Sequence, residues 1–148
     1  MVIADFLSRA DVAVDMDAID KAQLLRELSK RAASSAKLDR ETVSTAILKR
    51  EALGSTGTGS GIAIPHARFP ELKKPFGFLT RLKKAIDFDA IDGQSVDVVF
   101  LLLLPGTPDG NQLNALASVA RKLRNSEITT SIRRARNSED MYRAIVTD

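Results

Sequence analysis

The chain has 148 residues, 44% of them hydrophobic, with a net charge of +3, no cysteine and a single histidine. That length fits one domain, expected over residues 1–148, and the missing cysteines and lone histidine exclude disulfides, thiolate metal sites and multi-histidine sites, so neither a metal nor a cofactor is expected. The longest apolar run, Val98 to Leu104, is far short of the about 20 residues that span a membrane, and the start of the chain lacks a signal-peptide pattern, so a soluble, cytoplasmic protein is expected.

The opening residues Ile3 to Leu7 are too few to define an element, and Val12-Ala13-Val14 reads as a short first strand. Asp20 with Gln23 three residues on approximates a capping box, and Leu24, Leu25, Leu28 and Ala32 recur at helical spacing, which predicts a helix over 21–33. A second helix starts at Asp39 as its N-cap and runs to Leu53, with Glu41 at the positive end of the dipole and Val43, Ala46 and Ile47 marking the buried face. On that helix Arg50 lies near the face of Ile47, which brings its guanidinium close to the loop that follows. The alternative for Arg50 is an exposed ion pair with Glu51 or another neighbour.

The stretch Gly54 to Ala67, GSTGTGSGIAIPHA, holds four of the eight glycines, then Ile62-Ala63-Ile64, Pro65 and the single histidine, His66. Glycines at this density let the backbone turn several N–H groups toward one anion, so a phosphate-sized ligand is the natural candidate. A Walker A loop is excluded, because Gly61 is followed by Ile62 and Ala63 rather than Lys and Ser/Thr. A Rossmann fingerprint is excluded too, because a helical pattern precedes the glycines and a strand-like run follows them. Pro65 fixes its own φ and pushes Ile64 into an extended conformation, so the chain reaches His66 along a nearly rigid path. A neutral imidazole held in this way can serve as nucleophile or base. The plainer alternative is a histidine that ends a strand and hydrogen-bonds a carbonyl.

Beyond His66, Phe69 to Pro75 is a polar, proline-punctuated connection, and Phe76, Phe78, Thr80 and Leu82 alternate as in a strand with one face in the core. Asp92-Gly93 is a turn. Val96 to Leu104 reads as a central strand covered on both faces, so helices are expected on each side of a sheet. The expected fold is a single α/β domain, a mixed and mostly parallel β-sheet between helix layers, or three-layer sandwich. Pro105 to Gly110 is a loop just past a strand's carboxyl end, where sites gather in open α/β sheets. The helix after it shows Leu113, Leu116, Ala117, Ala120 and Leu123 at the spacing of a core face, which places Gln112 and Asn114 in its first turn. There they either help the unpaired N–H groups hold an anion or face solvent as caps. Ser126 and Ser138 read as N-caps of two last short helices, the second packing Met141 and Ile145 on the sheet.

Charge is uneven, since from Arg121 to Arg143 seven basic residues face only Glu127, Glu139 and Asp140. A solvated helical face, an acidic protein partner and nucleic acid all fit such a segment; the lack of interleaved aromatics and of any nucleic-acid motif makes the last the weakest.

The run Lys49-Arg50-Glu51 followed by GSTGTGSGIAIPHA resembles the phosphorylation-site region of the enzyme IIA domains of the mannitol/fructose class in the bacterial phosphotransferase system, and is most similar to the nitrogen-related branch. The resemblance extends over nearly the whole chain, including Asp87 to Leu103. It implies that His66 accepts a phosphoryl group from a phosphohistidine on an HPr-like carrier protein of the NPr type, with Arg50 offsetting charge. It implies regulation of downstream protein targets rather than sugar uptake. In-line transfer between imidazoles needs positioning and charge stabilisation more than covalent help, which suits the loop residues Ser55, Thr56, Gly57, Gly59 and Gly61, with Gln112 and Asn114 from the later helix. The chain departs from the family in having Ala67 where glycine follows the histidine, Thr58 in place of an aliphatic residue, and Gln112 and Asn114 where many relatives carry histidine. The alternatives are a module of the same fold that binds partners without being phosphorylated, and a basic nucleic-acid-binding protein.

Overall fold

The computed structural model describes residues 2–106 and 110–147, with the side chains of 110–113 outside the description. Two single turns of 3-10 helix, Ile3–Asp5 and Arg9–Asp11, precede β1, Val12–Met16. Two helices follow, α1 over Lys21–Ala36 and α2 over Arg40–Ala52. Asp20 and Asp39 cap them as expected, accepting from the backbone N–H groups of Gln23 and Thr42 at 2.9 Å each. The first helix runs three residues beyond its expected end, because Ser34 and Ser35 continue the turn until Lys37 takes the left-handed conformation with φ 59°.

The strands β2, Gly57–Gly59, β3, Ile62–Ala63, β4, His66–Phe69, β5, Phe76–Ile86, and β6, Val96–Pro105, join β1 in one six-stranded sheet. The path is β1-β5-β6-β3-β2, with β4 also pairing β6. Three of the five pairings are parallel, β1 with β5, β3 with β6 and β4 with β6. The other two, β5 with β6 and β2 with β3, are antiparallel. The sheet is therefore mixed and mostly parallel. Three last helices, α3 over Gly110–Arg124, α4 over Ser126–Arg134 and α5 over Ser138–Val146, complete the domain.

The alternating side chains of β6 explain the layering. Val99, Leu101 and Leu103 enter a cluster with Leu24, Leu28 and Ile47 of α1 and α2, while Val98, Phe100, Leu102 and Leu104 enter a second one with Val119, Ile132, Met141 and Ile145 of α3 to α5. A strand buried on both faces reads as an unbroken apolar run, as Val98 to Leu104 does.

Three local expectations need correction. The glycine stretch is not an open loop: Gly57 to Ala63 forms the hairpin β2–β3, with Gly57 opposite Ala63 and Gly59 opposite Ile62. The buried face of α3 is turned from the expected one of Leu113, Leu116, Ala117, Ala120 and Leu123, for Ala115, Ser118, Val119 and Leu123 are buried, Leu116 and Ala120 are half-buried and Ala117 is exposed. Small side chains at 115 and 118 let the helix lie close to the sheet, which large residues at those places would prevent; Leu113 lies outside the described side chains. The last two helices are capped one residue earlier than expected. Asn125 accepts from the N–H groups of Glu127 and Ile128, and Asn137 from that of Asp140.

Two of the seven basic residues of the C-terminal segment are ion-paired within the fold. Arg133 binds both carboxylate oxygens of Asp97 and donates to the Ser60 carbonyl at 2.9 Å, and Arg143 shares Glu139 with Arg9.

Candidate functional site

His66 opens β4, which lies on the same side of β6 as β3 but nearer the carboxyl end of β6, with His66 opposite Leu102 and Ile62 opposite Val98. Pro65 separates the two short strands because it has no N–H to extend the ladder, yet its carbonyl still accepts from the Leu102 N–H at 2.9 Å. The imidazole is half-buried, and its Nδ1 lies 2.8 Å from the Ile64 carbonyl. A carbonyl oxygen can only accept, so Nδ1 carries the proton in this contact. In the neutral ring Nε2 is then the nitrogen with the free lone pair, and among the described residues it has no hydrogen-bond partner.

A cavity of about 470 Å³ opens beside this ring at the edge of the sheet. The last turn of α2 and its C-cap contribute Lys49, Arg50 and Leu53, β4 contributes His66 and Arg68, and Leu104 and Leu116 supply apolar lining. Three cations and no carboxylate lie among its described lining residues, so the space favours an anion. Arg50 takes the first of its two expected arrangements. Its Nη1 donates to the Gly54 carbonyl at 2.9 Å, holding the side chain across the end of α2, while Glu51 pairs instead with Lys21 at 2.8 Å.

The glycine-loop residues expected to hold phosphate are placed elsewhere. Ser55 donates its hydroxyl to the Phe88 carbonyl at 2.7 Å and accepts from the Gly57 N–H at 3.0 Å. Thr56 is buried, with its N–H 3.2 Å from each Glu51 carboxylate oxygen and its hydroxyl also bound to Glu51. Gly57 owes its identity to Ala90, whose Cβ would stand 2.8 Å from any Cβ added there. Gly59 and Gly61 belong to the hairpin tip beside Asp92, Asp97 and Arg133, about 13 Å along β6 from His66. None of these five residues lines the His66 cavity. Asn114 is exposed and not among the described lining residues, and the Gln112 side chain lies outside the described residues. Sequence reasoning missed Lys49, Leu53, Arg68 and Leu116. The signal for Arg68 was its place two residues after His66, on the same face of a strand; Lys49 precedes Arg50 on α2, and Leu53 is that helix's C-cap.

Among the described residues no group of three His, Cys, Asp or Glu side chains is placed to hold a metal ion, and no helix is long and apolar enough to cross a membrane.

The structure thus sets the single histidine at the edge of the sheet, with Nδ1 held by the backbone, among the residues that line a cavity with three cations. Residues 5–147 match the model of the phosphoenolpyruvate-dependent sugar phosphotransferase system EIIA 2 family, and the chain belongs to that family. Within it the chain is similar to nitrogen regulatory proteins: it is 39% identical to that of Bradyrhizobium diazoefficiens over 142 residues, covering 96% of this chain and 93% of the relative. It is 40% identical to that of Escherichia coli over 129 residues, 86% of this chain and 78% of the relative. The crystal structure of the nitrogen regulatory protein IIA-Ntr from Neisseria meningitidis superposes with a TM-score of 0.91 at 33% identity, covering 98% of this chain and 99% of that one.

Proposed function

We propose that this chain is a phosphoryl carrier with a regulatory role, taking a phosphoryl group onto His66 Nε2 from the phosphohistidine of an HPr-like carrier of the NPr type. The observation that carries the reading is the contact of His66 Nδ1 with the Ile64 carbonyl at 2.8 Å, which leaves Nε2 as the nucleophile. The Nε2–P bond forms as the donor's N–P bond breaks, the donor imidazole leaves with the electron pair, and His66 keeps its Nδ1 proton throughout. Such a transition state is loose and gathers charge on the phosphoryl oxygens, so the main tasks are alignment and positive charge. Arg50, Lys49 and Arg68 supply the charge in the same cavity. Leu53, exposed at its rim, offers an apolar contact to a docking protein. Membership of the family and similarity to nitrogen regulatory proteins support regulation of downstream protein targets over sugar uptake, in the cytoplasm where carrier and targets meet.

The test is intact-mass measurement at neutral or alkaline pH after incubation with phosphoenolpyruvate and the upstream phosphotransferase components, alongside His66→Ala. One added phosphoryl group on the wild type and none on His66→Ala is the expected result. An unmodified wild type, with the carrier shown to be charged, overturns the proposal and leaves a partner-binding module of the same fold.

A further inference from the structure

We infer that Glu51 is a positioning residue for His66, acting through Thr56 and Ile64 to hold the imidazole in the tautomer and orientation that present Nε2. The inference rests on the carrier reading above for its consequence, and on a continuous set of hydrogen bonds for its cause. Glu51 sits in the last turn of α2, one residue after Arg50, with its side chain 4% exposed. Its carboxylate accepts from the Thr56 N–H and the Thr56 hydroxyl. The Thr56 carbonyl in turn accepts from the Ile64 N–H at 3.1 Å. The Ile64 carbonyl accepts from His66 Nδ1 at 2.8 Å. Glu51 thereby fixes the residue that fixes Ile64, and Ile64 fixes the ring. On the far side the Pro65 carbonyl is held by Leu102, so the short path from Ile64 to His66 is pinned from both neighbours.

The charge on Glu51 has its own support. Lys21, in the first turn of α1, places Nζ 2.8 Å from Oε2 and 4.5 Å from the centre of the Phe88 ring. A buried ion pair contributes little net stability over apolar side chains of the same volume. Its place here is better explained by geometry: a carboxylate accepts from two donors of one residue at once, and so sets where the backbone of Thr56 lies. Arg50 depends on the same turn, for it binds the Gly54 carbonyl while the Gly54 N–H bonds the carbonyl of Glu51. One helix end therefore sets both the cation of the cavity and the backbone that orients the ring.

His66 is the only histidine, so its two ring nitrogens are the only imidazole signals in protein labelled with nitrogen-15 histidine. At about pH 8.5, above the usual imidazole titration, the wild type is expected to show protonated Nδ1 and unprotonated Nε2. Glu51→Ala is expected to move both signals toward the mixture of free imidazole and to slow phosphoryl acceptance at saturating donor about tenfold, with the KM for the donor within about twofold. Glu51→Gln keeps an acceptor for the Thr56 N–H and should restore most of both readouts. If Glu51→Ala leaves the tautomer signals unchanged in a folded protein, the inference is overturned, whatever happens to the rate. If Glu51→Ala does not fold, Thr56→Val deletes one donor at constant volume, and a shift in the same direction is expected; an unchanged spectrum overturns the inference. A wild type that shows the expected tautomer but takes no phosphoryl group refutes the carrier reading and leaves the positioning chain standing.

Discussion

Arg50 shows how one side chain in this site divides its donors. One guanidinium N–H is committed to the Gly54 carbonyl, and among the described residues the remaining donors have no other partner and can turn to an anion in the cavity. A fork of this kind matches phosphoryl oxygens better than a point charge does. Arg50→Ala is therefore expected to lower the rate of phosphoryl acceptance about a hundredfold, the usual effect of deleting one donor aimed at developing negative charge. Arg50→Lys should fall between the two. Quenched-flow measurement of phosphorylated protein, with thermal unfolding as the control, checks this; a rate within threefold of wild type would remove Arg50 from the chemistry. That His66 and Arg50 line one cavity was legible from the motif, since both belong to a short run of sequence. Glu51 and Lys21 were not, because their pairing joins the end of α2 to the start of α1 across 30 positions, and no local pattern records such a contact.

At the scale of elements, the hairpin β2–β3 is the instructive case. Its strands have three and two residues, too few to show alternation, and its glycines suggested an anion loop instead. The glycines answer to packing: an added Cβ at Gly61, where φ is +82°, would stand 2.7 Å from the Arg133 guanidinium and 2.9 Å from Asp97. Asp92 ties the tip down by accepting from the Ser60 N–H at 2.9 Å and the Gln94 N–H at 3.1 Å. Those bonds, Ser60 foremost, hold the Asp92 carboxyl below its ordinary value of 3.8. A group whose folded pKa is lowered adds its full stabilisation above the unfolded value and loses it as pH falls through the folded one. The Ser60 amide proton is thus expected to move as Asp92 is protonated, with the midpoint of that movement below 3.8. In Asp92→Asn, whose amide oxygen still accepts, that movement should vanish. A Ser60 titration centred above 3.8 would contradict the assignment. The α3 register escaped for a related reason: the spacing of Leu113, Leu116, Ala117, Ala120 and Leu123 points to one face, whereas the buried face includes Ser118, a polar residue that an apolar pattern passes over.

The whole molecule is organised by β6, and this was the most legible feature of the chain. An apolar run bounded by turns predicts a strand covered on both faces, and from it follow the helix layers and the placing of a site at the strand's carboxyl end. The order of strands was not legible, because pairings such as β4 with β6 join residues 66 and 102 and leave no periodic trace. The two apolar clusters lie on opposite faces of one strand, so neither can remain covered when β6 leaves its place. Both layers should then unfold together. Phe100 tests this from one side only: it is fully buried in the α3–α5 cluster, with its ring edge-on to Phe6 at 6.3 Å. Phe100→Ala is expected to cost about 3–5 kcal/mol in urea unfolding, the usual loss for deleting a buried aromatic ring. Tyr142, on the same face as Phe100, reports one layer by fluorescence, and the amides of Leu24 and Leu28 report the other by NMR. Coincident midpoints, both lowered by the same amount, are the expected outcome. A Tyr142 transition at lower urea than that of α1 would mean that the helix layers unfold separately, and the central strand would lose its place as the common support of both.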